Sequence, residues 1–352
     1  MISAIVVNWN GRAYLPDCLT ALFAQVPCPD EVIVVDNHSD DDSREWLAVN
    51  FPTVRVFDTG RNGGPCLARN EGVRIASHEH CLLLDNDVVL SPGALAAMSV
   101  AMQQDSSVAM VQARSLCGDN PSIIHYDGAD IHFLGTLVLR NWFQPLAMAD
   151  SPKVPIGAAI ALCFLTKKSV YREVGGFNEC LFILYEDNEF SYKLRMRGYS
   201  IRLAADATCI HKAGTKGLSV RKASDHYSGQ RTFLHSRNRW FVLLTCMRWR
   251  TFFLTLPAQL LYGVVYAIFG HQRGHVREWW RGKWDLLKLI PTAIAARKCA
   301  QSGRTVPDRA LLVALPMTVN PGIAERGFTA MVRRVLDRLF AGYWFVVRRL
   351  CG

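Results

Sequence analysis

The sequence predicts an α/β fold, a mostly parallel sheet flanked by helices, followed by a basic helical region. Two observations predict it. Short β-rich apolar runs alternate with helix-like stretches from Ser3 to Asp85, which is the pattern of βαβ units. The charge also divides along the chain. Residues 1–211 hold 16 Lys/Arg against 24 Asp/Glu, a net of −8, whereas residues 212–352 hold 24 against 6, a net of +18.

Taken in order, strands are expected over Ser3–Asn8, Glu31–Asp36, Val54–Asp58 and Cys81–Asp85, with helices over Leu15–Gln25, Ser43–Asn50 and Cys66–Ala76. Ligands of such sheets bind beyond the carboxyl ends of the strands. Here those ends carry Asn8, Asp36, Asp58 and the cluster Asp85-Asn86-Asp87. Residues 110–165 suggest a meander through His125, Tyr126 and His132, whose histidines read as surface or satisfied core residues without an assigned function. A helix is expected to start near Asp187 and to end at Gly198, which puts Asp187 at its N-terminal mouth.

Residues 251–270 contain no charge and lie between Arg248 and Arg250 on one side and His271 and Arg273 on the other. The length just reaches a bilayer span, but Pro257, Gln259 and Gly263 weaken a continuous buried helix. A span, an interfacial or re-entrant helix pair and ordinary core packing all stay open. Phe328 to Leu350 sets Met331, Val335, Phe340 and Trp344 among Arg333, Arg334, Arg338, Arg348 and Arg349, as in a basic amphipathic helix with aromatic anchors. Residues 1–228 are therefore expected to form the α/β unit and residues 229–352 a membrane-associating helical region.

Composition narrows the class. With 50% apolar residues and a mean hydropathy of +0.09, the chain is too apolar for disorder and too polar for a polytopic membrane protein. Eleven cysteines without a C-x-x-C pair suggest neither a zinc ribbon nor a disulfide framework, so reduced thiols and a cytoplasmic site are expected. The N-terminus lacks the basic n-region and long apolar core of a signal peptide. A strongly basic half fits nucleic acid or anionic lipid. Aromatic and aliphatic residues interleaved with the arginines favour an anionic membrane surface, and no nucleic-acid partner is expected.

Two carboxylates one residue apart at a strand end, Asp85 and Asp87, can hold a divalent cation that binds the paired phosphates of a nucleotide. The segment from Arg61 to Gly72 opens a helix with a Gly-rich turn where small residues let backbone approach a ligand, although a plain tight turn looks the same. No G-x-G-x-x-G and no G-x-x-x-x-G-K-[ST] occurs, so hydride transfer and P-loop chemistry lose support.

Val6-Val-Asn-Trp-Asn10, Val34-Val-Asp-Asn-His-Ser-Asp40, Asn62-Gly-Gly with Ala68-Arg-Asn-Glu-Gly72, Leu84-Asp-Asn-Asp-Val88 and Gly175-Gly-Phe-Asn with Tyr185-Glu-Asp and Leu194-Arg195 follow one another in that order. Over roughly residues 1–215 the ordered set resembles the family 2 glycosyltransferases of GT-A fold, in particular their rhamnosyltransferase-like and galactofuranosyltransferase-like branch. The resemblance implies a nucleotide-sugar donor and a saccharide or lipid-linked saccharide acceptor, while the cysteines and the basic, apolar C-terminal half put the expected location at the cytoplasmic face of the cell membrane, held peripherally or by one inserted segment. It implies that Asp36 contacts the nucleotide base with Asn8 beside it, and that Asn62, Gly63, Asp85 and Asn86 help bind the donor. It further implies that Asp87, Asp85 and His211 hold a divalent metal, Mn²⁺ or Mg²⁺, and that Asp187 is the catalytic base.

The chemistry is coherent on its own terms. A base takes the acceptor proton as the hydroxyl attacks the anomeric carbon, and a metal neutralises the departing diphosphate, which suggests single displacement with inversion. Where the family commonly reads Glu-Asp-x-Asp-Leu and Gly-Gly-Phe-Asp, this chain has Glu186-Asp-Asn-Glu-Phe190 and Gly-Gly-Phe-Asn178. The base is retained, and the neighbouring acceptor contacts are expected to differ from the family's. A metal-dependent nucleotidyltransferase would also use Asp85 and Asp87 but leaves the basic tail unexplained, and a non-enzymatic membrane scaffold explains only the tail.

Overall fold

The computed structural model describes residues 1–150, 155–212, 227–320 and 327–351. Its first half is the expected alternation. β1 (Ile2–Asn8), α1 (Leu15–Phe23), β2 (Glu31–Asp36), α2 (Ser43–Asn50), β3 (Arg55–Asp58), α3 (Gly64–Ile75) and β4 (His80–Asp85) follow in turn. β1 is buried from Ser3 to Asn8 and apolar from Ala4 to Val7 because both its faces are covered, as in a parallel sheet. Ala4 and Val6 pack with Leu15 and Leu19 of α1, while Ile5 and Val7 pack with Cys66 and Val73 of α3.

Next come β5 (Val88–Leu90), α4 (Ala94–Gln103), β6 (Val108–Cys117), β7 (Asn120–Tyr126), β8 (Ala129–His132), β9 (Leu137–Leu139), β10 (Cys163–Lys167), α5 (Lys168–Glu173), α6 (Glu186–Met196) and β11 (Ser200–His211). The large sheet runs β3-β2-β1-β4-β10-β6-β11-β5, with β7 on β6. The expectation of a mostly parallel sheet needs refining, because the sheet is mixed. Its parallel pairings are β3–β2, β2–β1, β1–β4 and β6–β11, and β10 enters antiparallel between β4 and β6. The simple strand-helix-strand crossovers end at β4, after which β5, β7 and β10 enter the sheet antiparallel.

β11 carries an irregularity between Ala204 and Thr208, beyond which its last residues reach the short β5 in antiparallel register, His211 opposite Val88. Asp87, just before β5, is thereby brought to the end of β11.

The remaining elements are α7 (Gly229–Cys246), α8 (Trp249–Gln272), α9 (Val276–Gln301), α10 (Asp308–Leu311), β12 (Leu312–Val313) and α11 (Phe328–Val347). β12 adds to β8 and β9 as a small second sheet, so the chain returns from the helices to the strand region. A third core joins Ala129, Ile131 and Phe133 to Phe241 of α7 and to Phe340 and Trp344 of α11, with Phe133 stacked on Trp344 at 5.0 Å.

α8 is the one described helix long and apolar enough to cross a membrane by length and composition. One of its faces is anchored in protein. Thr251, Thr255 and Gln259 are buried, and Gln259 donates to the Phe133 carbonyl and accepts from the buried Arg239. Phe253, Leu260, Val264 and Ile268 face outward.

Candidate active site

The ends of β1, β2 and β4 bring Asn8, Asp36, Asp85 and Asn86 together by the parallel register alone, Asn8 opposite Asp36 and Val7 opposite Asp85. Asn8 is fully buried, donates to Asp36 at 2.7 Å and accepts from Asn86 at 2.7 Å. Asp36 is also fully buried and accepts from both the backbone N–H and the hydroxyl of Ser39. A ligand at Asp36 would therefore share oxygens already bonded by Asn8 and Ser39.

Asn62 and Gly63 sit on the neighbouring turn, where Asn62 accepts from the Gly64 N–H at 3.0 Å. Gly64 has φ +74°, and a Cβ there would stand 2.6 Å from the Phe182 carbonyl oxygen, so the glycine admits the segment that leads to α6. The Gly-rich turn of the expected donor side thus meets the approach to Asp187.

Asp85 and Asp87 diverge. Asp85 accepts from Arg69 at 2.8 Å, and burial raises its carboxyl group above the ordinary range while Arg69 opposes the shift. Asp87 is 5% exposed and turns toward His211, Oδ2 to Nε2 being 3.3 Å. Burial lowers the His211 imidazole, but the hydrogen bond and charge of Asp87 outweigh it and leave a net rise. On its other nitrogen His211 meets Nδ1 of His125 at 2.9 Å, with the rings stacked 4.9 Å apart.

Among the described residues no three His, Cys, Asp or Glu side chains form a ready-made cation site. The donor set that does converge, a carboxylate and an imidazole at 3.3 Å with Asp85 two residues before that carboxylate, is of a kind that suits a divalent cation.

Asp187 stands in the first turn of α6 and lines a cavity of about 270 Å³. Tyr126, Trp142, Tyr185, Tyr262 and Arg231 form part of its wall. Tyr126 also lies beside His211, with ring centroids 6.4 Å apart, so one strand borders both the cavity and the Asp87–His211 pair. Burial pushes Asp187 up to about 6, eased by the Asn188 N–H and Arg69. Glu186 next to it rises to about 8 through burial and the charge of Asp187. The approach to this pair is strained, since Phe182, Leu184 and Tyr185 have φ of +64°, +66° and +74° and none is glycine. Such conformations cost about 1–3 kcal/mol each and persist only where surrounding structure holds them.

The structure thus gathers Asn8, Asp36, Asp85 and Asn86 at one rim, pairs Asp87 with His211, and sets Asp187 in its own cavity. Arg69, Glu186, His125 and Tyr126 belong to the same place, and sequence reasoning missed them. Arg69 is 3% exposed and spans the two sides, bonded to Asp85 and 3.5 Å from Glu186. Its signal was an arginine on the apolar face of an amphipathic helix, with Cys66, Ala68 and Val73 around it.

Comparison with known proteins places this geometry among relatives. The family model described as glycosyl transferase family 2 matches residues 3–175. The chain is 23% identical over 219 residues to the low-salt glycan biosynthesis hexosyltransferase Agl10 of Haloferax volcanii, a match covering 60% of this chain and 66% of that protein. It is 24% identical over 269 residues to the N-acetylglucosaminyl-diphospho-decaprenol L-rhamnosyltransferase of Mycobacterium tuberculosis, covering 68% and 85%. Among solved structures it is similar to GalNAc-T7 with UDP, GalNAc and Mn²⁺, at a TM-score of 0.56 and 16% identity over 74% of this chain and 51% of that one. That likeness concerns the fold, which is GT-A.

Proposed function

Residues 3–175 are a glycosyl transferase family 2 domain, and from that premise we propose that the protein is an inverting glycosyltransferase. It moves a sugar from a nucleoside-diphosphate-sugar to a hydroxyl of a lipid-linked saccharide in cell-surface polysaccharide synthesis. The observation that carries this reading is the bridge made by Arg69. It joins Asp85, on the rim with Asn8, Asp36 and Asn86, to Glu186, whose neighbour Asp187 lines an aromatic cavity. Two substrates are needed for transfer, and two differently built sites meet here.

The rim, with Asn62 and Gly63, receives the nucleotide and its diphosphate. Asp87 and His211, with Asp85 adjacent, hold Mn²⁺ or Mg²⁺, which when bound neutralises charge on the departing diphosphate. Aromatic walls suit the apolar face of a sugar ring, and the cavity volume suits one such ring beside Asp187. Asp187 takes the proton of the acceptor hydroxyl as its oxygen forms a bond to the anomeric carbon. The bond from that carbon to the diphosphate oxygen breaks with its electron pair leaving on the diphosphate. Attack opposite the leaving group inverts the anomeric centre.

Residues 1–228 serve as the catalytic unit and residues 229–352 as a membrane-associated region at the cytoplasmic face. Support comes from the outward apolar faces of α8, α9 and α11 in a half that carries a net charge of +18. The buried polar face of α8 favours a helix lying at the surface over one crossing alone. The reading is tested by nucleotide release from a panel of UDP-, GDP- and dTDP-sugars, with and without Mn²⁺ or Mg²⁺. Wild type should release one nucleoside diphosphate only with metal, and Asp87→Ala should abolish it. Release of pyrophosphate from a nucleoside triphosphate would instead indicate nucleotidyl transfer.

A further inference from the structure

The segment that delivers Asp187 belongs to no strand and no helix long enough to hold it, and it passes through three left-handed non-glycine residues. Its carbonyls are bonded from α7. Asn238 is fully buried, and its Nδ2 donates to the carbonyl oxygens of Leu181 at 3.0 Å, Ile183 at 3.1 Å and Leu184 at 2.7 Å. An amide has two hydrogens, so one is shared, and no other neutral side chain of this size offers two donors. The Asn238 oxygen accepts from Nε of Arg237 at 2.8 Å, which fixes the amide's orientation. Arg237 itself donates to the carbonyls of Cys180 and Leu181, each at 3.1 Å. One turn earlier, His235 hydrogen-bonds the Tyr185 hydroxyl at 3.0 Å.

We propose that Asn238 is a positioning residue for glycosyl transfer, fixing the left-handed turn of residues 182–185 so that Glu186 faces Arg69 and Asp187 faces the acceptor cavity. The proposal rests on the reading of Asp187 as base. Without the amide the Ile183 and Leu184 carbonyls lose their donor, while Leu181 keeps those of Arg237 and the Ile183 N–H, and the turn regains partners by letting Leu184 and Tyr185 relax to negative φ. Relaxation rotates the peptide before Glu186 and turns the first residues of α6 away from the cavity. An asparagine serving stability alone would leave that turn, and the reacting geometry, as they are.

The test compares full-length wild type with Asn238→Ala, Asn238→Asp, Asp187→Asn and Cys246→Ala. The last removes a buried side chain two turns further along the same helix and controls for general destabilisation. Two measurements are made. Crystal structures of wild type and Asn238→Ala report φ at Leu184 and Tyr185, and donor hydrolysis with UDP-, GDP- and dTDP-sugars reports the rate at which Asp187 activates water. In Asn238→Ala the turn should relax, and kcat should fall about a hundredfold, the effect of a misplaced reacting group. Affinity for UDP, GDP or dTDP by calorimetry should stay within about twofold, because the donor rim is intact. Asn238→Asp sets an oxygen against the three carbonyls and should do at least as badly, while Cys246→Ala should keep wild-type kcat.

An unrelaxed turn in Asn238→Ala, or a kcat loss no larger than that of Cys246→Ala, overturns the proposal while leaving Asp187's role intact. Full turnover in Asp187→Asn overturns the base reading, and the proposal with it.

Discussion

The Arg69 guanidinium donates to the Asp85 carboxylate at 2.8 Å from a position that is 3% exposed. Its second terminal nitrogen lies 3.5 Å from Glu186 and, among the described residues, has no hydrogen-bond partner, as is also true of Oε2 of Glu186. A buried cation with one firm bond and one loose one is costly unless both acids stay in place. Removing the cation leaves the part-buried Asp85 without its partner and with the charge of Asp87 close by. Arg69→Met is therefore expected to lower stability by about 3 kcal/mol, the lower end of the range for a broken buried pair because Asp85 is 30% exposed. Urea unfolding checks this, and Asp85→Asn added to Arg69→Met should recover part of the loss. A double variant no more stable than the single one would show that Arg69 does not act through Asp85.

Glu186 and Asp187 should divide their work by protonation. Glu186 at about 8 is mostly neutral near pH 7, whereas Asp187 at about 6 is mostly ionised and able to act as a base. The pH profile of kcat should therefore lose activity on the acid side around pH 6, above the ordinary range of a carboxylate. A rate that stays flat down to pH 5 would exclude Asp187 as the titrating base. The stability sign follows from the same shifts. Both groups bind protons more tightly folded than unfolded, so their contribution is present below about pH 4 and is lost as pH rises toward 8. Glu186→Gln removes the larger loss, and its melting temperature relative to wild type should climb between pH 5 and pH 8.5.

β1, β2 and β4 were legible because each is a largely buried apolar run with a polar end, and parallel register then brought Asn8, Asp36 and Asp85 together without further information. β10 was not legible, since an antiparallel insertion between β4 and β6 leaves no trace in local periodicity. His125 read as an ordinary histidine because its partner His211 lies 86 residues away. Asn238 was still less visible, because it bonds backbone carbonyls 54 to 57 residues earlier, and a carbonyl has no side-chain identity to match. The departures at Asn178 and Glu189 have structural roles here. Asn178 accepts from the Cys180 N–H and Glu189 pairs with Lys193 at 2.9 Å, both away from Asp187's cavity wall.

Metal affinity should depend on His125 although it lies behind the donor set. If Nε2 of His211 binds a cation it carries no proton, so Nδ1 carries it and donates to Nδ1 of His125. Calorimetry of Mn²⁺ with UDP, GDP or dTDP and no sugar reads this without turnover. Asp87→Ala and His211→Ala should each weaken Mn²⁺ binding strongly, and His125→Ala should weaken it about tenfold, as loss of an outer partner does. Equal Mn²⁺ affinity in wild type and His125→Ala would mean that the His211 tautomer is set without it.

Membrane attachment should depend on a face of α9 that neither the uncharged stretch nor the terminal helix had announced. Trp280 and Trp284 are 63% and 67% exposed, and with Phe233, Arg277, Arg281 and Lys288 they line a groove of about 650 Å³. Indole rings flanked by cations suit the headgroup region of an anionic bilayer, where each Lys or Arg contributes about 1 kcal/mol. Deleting residues 229–352 would be a poor test, because it also removes Asn238 and Arg239 from the protein interior. Surface substitutions keep the fold. Trp280→Ser with Trp284→Ser should lower sedimentation with phosphatidylglycerol vesicles while leaving nucleotide affinity unchanged. Wild-type binding should weaken as salt rises well above about 0.15 M, where screening shortens the reach of the arginines. Undiminished sedimentation of the double variant would move the contact to α8 or α11. Equal binding to purely zwitterionic vesicles would remove charge from the account and leave apolar insertion as the whole of it.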